Sequence, residues 1–205
     1  MQATQDEGSG RLTRGRRPAG ARRLMILQTL AAMLEDPRGE RITTAALAKK
    51  LAVSEAALYR HFASKAQMFE GLIEFIETTL FGLVNEIAAK EPAGLKQAAR
   101  TTAMLLDFAA TNRGMTRVLT GEALVGEHER LQVRINRLLE RIEASLKHSL
   151  RLAVADGALP AAADVGARAA LVVAFVLGRW LRYSKSGFTQ LPGDGLDAQL
   201  PVLFG

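Results

Sequence analysis

Apolar residues recur at three- and four-residue spacings along nearly the whole chain, and no stretch alternates long enough to read as a strand. The pattern predicts an all-α protein. Leu24, Leu27, Leu30, Ala31 and Leu34 outline a helix over about 21–35, ended by the breaker cluster Asp36-Pro37-Arg38-Gly39. A short helix follows from Thr43 or Thr44, either of which can cap it, to about Leu51. A second short helix runs from the cap Ser54 to about Phe62. Ser64-Lys65-Ala66-Gln67 has the form of a capping box and opens a long helix that reaches about Lys90, before Glu91-Pro92-Ala93-Gly94. Further helices are predicted over about 95–111, 115–125, 127–155, 162–185 and 195–203. Asn112-Arg113-Gly114, Asp156-Gly157 with Pro160, and Leu191-Pro192-Gly193 supply the breaks. The coarse picture is a small N-terminal group of helices joined by a long connecting helix to a larger bundle.

The segment 43–62 carries the most specific pattern. Ala45, Leu47, Ala48 and Leu51 give its first helix an inner face, Val53 falls in the turn, and Ala57, Leu58 and Phe62 give the second helix its inner face. Two short helices joined by about three residues can cross steeply and bury those faces against the helix before them, as a helix-turn-helix does. Glu55, Ala56, Tyr59 and Arg60 remain outside, with His61 beside them. Small residues near a helix start allow close approach to base edges in a DNA groove, and an Ala methyl can pack on a thymine methyl. Arg60 can donate to phosphate or guanine, and Tyr59 and His61 to phosphates. Thr43, Thr44 and Lys65 stand at helix starts, where free N–H groups already favour phosphate oxygens. An ordinary polar surface helix is the alternative. The tight turn usually carries glycine, and here Ala52 occupies it. A positive φ at that position costs alanine on the order of 1 kcal/mol.

Composition narrows the partners. The 205 residues are 48% hydrophobic and 23% charged, lack cysteine, and carry a formal net charge of +6. Without cysteine there are no disulfides, thiolate catalysis or Cys-ligated metals, and the basic balance suggests an anionic partner, nucleic acid or membrane surface. The first ten residues are polar and lack an apolar leader segment. The longest apolar run, 169–178, is about ten residues against the roughly 20 that a membrane span needs. The expectation is a cytoplasmic, soluble protein with no membrane partner. Residues 1–20 are rich in Gly, Arg, Thr and Ser and read as a disordered basic arm. Its Arg16 and Arg17 are either part of a solvated tail or lie along phosphates or in a minor groove. His61, His128 and His148 form no metal-binding or catalytic motif, and no phosphate-binding glycine loop occurs. "GEHER" at 126–130 groups His128 with Glu127 and Glu129, but adjacent residues point apart on a helix. Neither catalysis, a metal nor a cofactor is expected.

The C-terminal half offers two stripes. The helix over 162–185 is apolar nearly all round, which marks a buried helix. On it Gly166, Ala170, Ala174 and Gly178 fall four apart, a small-residue stripe that reads as a dimer seam, with intrachain packing as the alternative. Trp180, Leu181 and Tyr183 would continue the buried surface. On the helix over 127–155, Leu131, Ile135, Leu138, Ile142 and Leu146 face inward. Outside them Arg130, Arg134, Arg137 and Arg141 form a basic stripe, read as a solvated face or, alternatively, a docking surface for an acidic partner or phosphate.

The stretch "ITTAALAKKLAVSEAALYRHFASKAQMF" resembles the DNA-binding region of TetR-type regulators, at Val53, Ser54, Leu58, Tyr59, His61, Phe62 and Lys65. "SEAALYRHFASKAQMFEGLIEFIE", "NRGMTRVLTGEAL" and "RLQVRINRLLERIEASL" extend the resemblance to the SlmA-type nucleoid-occlusion branch of that family. The resemblance implies a TetR-like fold: a disordered arm over 1–20, a helix-turn-helix DNA-binding domain over 21–68, and a helical dimerisation and partner-binding domain over 69–205. It implies a homodimer on near-palindromic double-stranded DNA, with Tyr59, His61 and Lys65 on phosphates. It also implies a nucleoid-associated division inhibitor whose groove between the fourth and fifth helices takes the C-terminal tail of FtsZ. Phe75 and Asn112 match groove positions, and Met104 lies with them. Leu83 and Thr111 stand where other members carry Arg, and Asp107 where they carry Gly. A ligand-responsive TetR-type repressor is the alternative on the same fold; for it the apolar interior would line an inducer pocket.

Overall fold

The computed structural model describes residues 19–36 and 41–205. Its elements are α1 (Ala19–Met33), α2 (Thr44–Lys50), α3 (Glu55–Tyr59), α4 (Lys65–Lys90), α5 (Gly94–Thr111), α6 (Arg113–Leu119), a 3-10 turn (Glu122–Leu124), α7 (Glu129–Ala155), α8 (Val165–Lys185) and α9 (Leu196–Phe204). No strand occurs among the described residues, so the all-α expectation holds. Residues 1–18, with Arg16 and Arg17, and 37–40 lie outside the described residues. Helix α1 begins at Ala19, so the arm expected through residue 20 is shorter at that end.

Side-chain caps set several helix starts. The Thr43 hydroxyl accepts from the Ala46 amide at 3.1 Å, Ser54 from Ala57 at 3.3 Å and Ser64 from Gln67 at 3.2 Å. The reciprocal half of the expected capping box differs: Gln67 Oε1 accepts from the Ala63 amide at 2.8 Å, one residue before the cap. The helix expected over 115–125 is two pieces, because α6 ends at Leu119 and Gly121, at φ 79°, turns the chain into the 3-10 turn. Gly114 is not the break that its sequence context suggests. It lies inside α6, where an added Cβ would stand 1.9 Å from the Ala31 carbonyl oxygen, so α6 crosses α1 at a distance that only glycine permits.

One apolar cluster runs through the whole described chain. Leu30, Leu47, Leu58 and Phe62 bring α1–α3 onto Met68, Phe69 and Leu72 at the start of α4. Farther along, α4, α5, α7 and α8 enclose Ile76, Leu105, Leu138, Leu146 and Val176. Burying each such side chain stabilises the fold by roughly 1.5–3 kcal/mol before conformational entropy is subtracted.

The turn between α2 and α3 is a Schellman motif: Ala52 N donates to Lys49 O at 3.1 Å and Val53 N to Ala48 O at 3.0 Å. Ala52 sits at φ 52°, the left-handed conformation anticipated for it. The end of α8 has the same bonds with glycine in that place: Gly187, at φ 65°, donates to Ser184 O at 3.1 Å, and Phe188 N to Tyr183 O at 2.9 Å.

One chain alone does not bury helix α8 all round: Ala169, Val172, Val176, Trp180 and Tyr183 are covered, whereas Ala170, Leu171, Ala174, Gly178 and Leu181 are exposed, which leaves open the face expected to be a dimer seam. Trp180 and Tyr183 turn inward rather than extending the small-residue stripe. The Trp180 indole donates to Leu105 O at 3.0 Å and the Tyr183 hydroxyl to Ala110 O at 2.9 Å, tying α8 to α5. Nor is the arginine stripe of α7 a freely solvated face. Arg130 pairs with Glu70 at 2.5 Å, Arg134 grips Glu77 with bonds of 2.6 and 3.3 Å, and the Arg141 guanidinium lies 3.9 Å from the centroid of the Phe81 ring. Three of the four arginines thus fasten α7 to α4. Hydrogen bonding to Glu77 raises the Arg134 pKa above its already high ordinary value.

Candidate DNA face and partner groove

Helix α3 stands on a buried base. Leu58 and Phe62 are each 1% exposed, while Tyr59 on the outer side is 45% exposed. Glu55, Ala56 and Arg60 are also exposed, and His61 is half-buried. Arg23 of α1 fixes the far end: its guanidinium donates to His61 O at 3.0 Å and lies 4.1 Å from the Phe62 ring centroid. The near end is fixed by Thr44, whose hydroxyl donates to Glu55 at 2.6 Å. Glu55 is therefore engaged with α2, while Arg60 and Tyr59 project outward.

The cap hydroxyls keep a function in reserve. Thr43 and Ser54 use oxygen lone pairs to accept from backbone amides, which leaves each O–H free to donate. Such donors at helix starts suit phosphate oxygens. Lys65, the remaining phosphate candidate, is different. Its ammonium pairs with the carboxylate of Glu127, a residue from the loop before α7, and lies 5.7 Å from the Phe69 ring centroid.

The second constellation lies between α4 and α5. Phe75, Leu83, Met104, Asp107, Thr111 and Asn112 line one groove of about 460 Å³, together with Thr79 and Phe108. An adjoining lobe of about 350 Å³ shares Leu83, Met104 and Asp107 and extends to Lys90 and Arg100. All six residues expected there are thus together. Their roles differ. Phe75 is 38% exposed, whereas Phe108 is 7% exposed and belongs to the core. The Thr111 hydroxyl donates to Asp107 O at 2.9 Å, and the Asn112 amide donates to Phe108 O at 2.8 Å. These two polar side chains tie off the carbonyl end of α5. Asp107 is exposed and lines both lobes.

The small-residue stripe of α8 is only partly a single surface. Ala170, Ala174 and Gly178 are exposed, but Gly166 is half-buried, and a Cβ there would lie 3.3 Å from Lys147 Nζ and from Asp164 Oδ1. A strict four-residue repeat drifts about 40° per step around a helix of 3.6 residues per turn, so its ends face different neighbours. Leu171 and Leu181 flank the exposed part.

Sequence reasoning missed three residues that organise these surfaces: Arg23, Arg117 and Glu127. Arg117 of α6 donates to Leu34 O at 3.2 Å and Asp36 O at 3.0 Å, satisfying carbonyls at the end of α1. The only available signal was charge. All three partnerships span more than thirty residues of sequence. No group of side chains suited to holding a metal ion occurs among the described residues, and no helix there is long and apolar enough to cross a membrane.

Comparison with known proteins gives the family. Residues 38–72 match the family model of bacterial regulatory proteins of the tetR family, and residues 94–205 match that of the tetracyclin repressor-like, C-terminal domain of SlmA-like type. The nucleoid occlusion factor SlmA of Alteromonas mediterranea is 48% identical over 178 residues, covering 87% of this chain and 91% of that protein. The SlmA of Vibrio cholerae is 49% identical over 183 residues, covering 89% and 93%. Among solved structures, FadR from Bacillus subtilis in complex with stearoyl-CoA has a TM-score of 0.76 at 14% identity, covering 89% of this chain and 97% of that one. AibR in complex with isovaleryl coenzyme A and operator DNA has a TM-score of 0.69 at 16% identity, covering 89% and 98%. At those identities the two structures bear on the fold alone. An identity near one half over almost nine-tenths of the chain does more: the chain belongs to the SlmA family of nucleoid occlusion factors, within the TetR-type DNA-binding regulators.

Proposed function

We propose that this chain is a DNA-bound inhibitor of cell division that reads near-palindromic chromosomal sites as a dimer and holds the FtsZ C-terminal tail in the α4/α5 groove. The observation that carries the reading is the identity of nearly one half to nucleoid occlusion factors over almost nine-tenths of the chain. Each α3 enters a major groove with Arg60 and Ala56 toward the bases. Tyr59, His61, Lys65 and the hydroxyls of Thr43 and Ser54 face phosphates, while Thr44, whose hydroxyl is donated to Glu55, contributes its place at the start of α2. Residues 21–68 serve as the DNA-binding domain and 69–205 as the dimerisation and partner domain. Arg16 and Arg17 extend the basic face along the DNA. The dimer forms across the exposed part of α8, at Ala170, Ala174 and Gly178, with Gly166 at its edge.

Groove chemistry restricts the tail. Phe75, Leu83 and Met104 offer an apolar track, and Asp107 places one carboxylate at its middle. A tail that fits presents apolar side chains to the track and a hydrogen-bond donor or cation to Asp107. The protein working in this way resides with the nucleoid in the cytoplasm.

Sedimentation of FtsZ polymers in GTP tests the proposal. Adding this protein with a palindromic duplex lowers the pelleted fraction, and the duplex alone does not. Undiminished polymer with protein and duplex both present, at concentrations where the duplex is bound, would refute it.

A further inference from the structure

Glu127 is the residue that no assigned role uses. It lies between the 3-10 turn and α7, in a stretch held by Gly126 at φ 73° and by the bond from Glu127 N to Leu124 O at 3.0 Å. His128 next to it caps α7, accepting from the Arg130 amide at 3.3 Å. The Glu127 side chain is only 8% exposed, and it reaches two cations of the N-terminal helices: the Lys65 ammonium and Arg41 Nε, the latter at 3.3 Å. Arg41 also donates to Gly126 O at 2.7 Å. Lys65 opens α4 and Arg41 precedes the Thr43 cap of α2, so both stand at helix starts that face phosphates in the function proposed above.

We propose that Glu127 is an internal competitor for DNA phosphate: a carboxylate of the C-terminal bundle that occupies the Lys65 ammonium and lowers the charge the chain can offer to DNA. The chemistry is direct. A carboxylate and a phosphate oxygen both accept from an ammonium, and each lysine engaged by phosphate releases one condensed counterion. Glu127 is covalently tethered and shielded from solvent, so salt weakens its hold on Lys65 less than it weakens an exposed pair. Arg41 makes the arrangement asymmetric. It remains 66% exposed, so it can keep Glu127 partnered when phosphate takes Lys65. The bundle thereby sets the strength of DNA binding without touching DNA, and its effect is the same on every sequence.

The inference rests on the phosphate role of Lys65, and a double-mutant cycle separates the two. Anisotropy of a labelled duplex, palindromic or scrambled, is titrated across a range of salt with wild type, Glu127→Gln, Lys65→Ala and the double variant. Glu127→Gln keeps the side-chain shape and removes the charge. The expected result is several-fold tighter binding to both duplexes and a steeper plot of log affinity against log salt, by a fraction of one unit, because Lys65 contributes at most about 0.9 in all and part of that is already realised in the wild type. The double variant returns to the slope of Lys65→Ala. Glu127→Asp retains the charge and withdraws it by one methylene; it moves the slope in the same direction by less, and thermal melting verifies that each variant is folded. A Glu127→Gln slope equal to or shallower than wild type, alongside a flattened Lys65→Ala slope, overturns the competition and leaves the DNA face intact. An unchanged Lys65→Ala slope overturns both.

Discussion

The α3 face and the α4/α5 groove are two functional surfaces built by opposite means. On α3 the apolar side is buried, and the groups turned outward are a phenol, a guanidinium and the Ser54 cap hydroxyl, which like that of Thr43 on α2 has a proton still to donate. In the groove the polar groups of Thr111 and Asn112 are turned back onto the carbonyls of α5, and what faces outward is Phe75, Leu83, Met104 and one acid, Asp107. The difference matches the partners proposed for them. A DNA backbone presents the same anions to every protein, so its binding surface has a recurrent composition. A peptide is particular, and its groove is a matter of shape.

The comparison can be broken most severely at its aromatic residues. Phe62, 1% exposed beneath α3, is a foundation; Phe75, 38% exposed in the groove, is the proposed contact. Phe62→Ala should cost about 3–5 kcal/mol in chemical denaturation and release the DNA face with it. Phe75→Ala should cost no more than about 0.5–1 kcal/mol while removing affinity for the FtsZ tail. Equal costs would mean that the two surfaces are not built differently.

Next in size is the charge signature. Tyr59→Ala combined with Lys65→Ala should weaken binding to all duplexes and flatten the salt dependence by the part of one unit that Lys65 supplies in the wild type, without changing tail binding in the absence of DNA. A loss confined to one sequence would make these base readers rather than phosphate anchors. The dimer surface allows a sharper contrast. A Cβ at Gly178 meets nothing within 4 Å in its own chain, so Gly178→Leu should leave the fold intact and shift sedimentation from dimer toward monomer. The smallest effect concerns the two matching helix ends. Ala52→Gly should stabilise the protein by about 1 kcal/mol in denaturant titration, and Gly187→Ala should destabilise it by a similar amount.

Much of this was legible in the sequence, for local reasons. Thr43, Ser54 and Ser64 announce helix starts because a cap bonds to an amide two or three residues away. Ala52 was recognisable as a left-handed turn residue from its place between two amphipathic helices. The composition of α3 suggested DNA from residue types alone, whereas the groove residues emerged only from family resemblance, since Phe75 has the same spacing as a core aromatic. What stayed hidden depends on distant partners. The α7 arginines read as solvated because Glu70, Glu77 and Phe81 lie over fifty residues away. Helix α8 reads as buried all round because a face covered within the chain has the same composition as one left for a partner chain. Gly114 read as a helix break because its true constraint, the carbonyl of Ala31, is on another helix.

The most direct test of the account is fluorescence anisotropy of a labelled FtsZ C-terminal tail peptide titrated with this protein, with and without a palindromic duplex. Saturable binding that strengthens when the duplex is present and disappears with Phe75→Ala is expected. Absence of binding in both conditions, with the duplex itself still bound, would contradict the account.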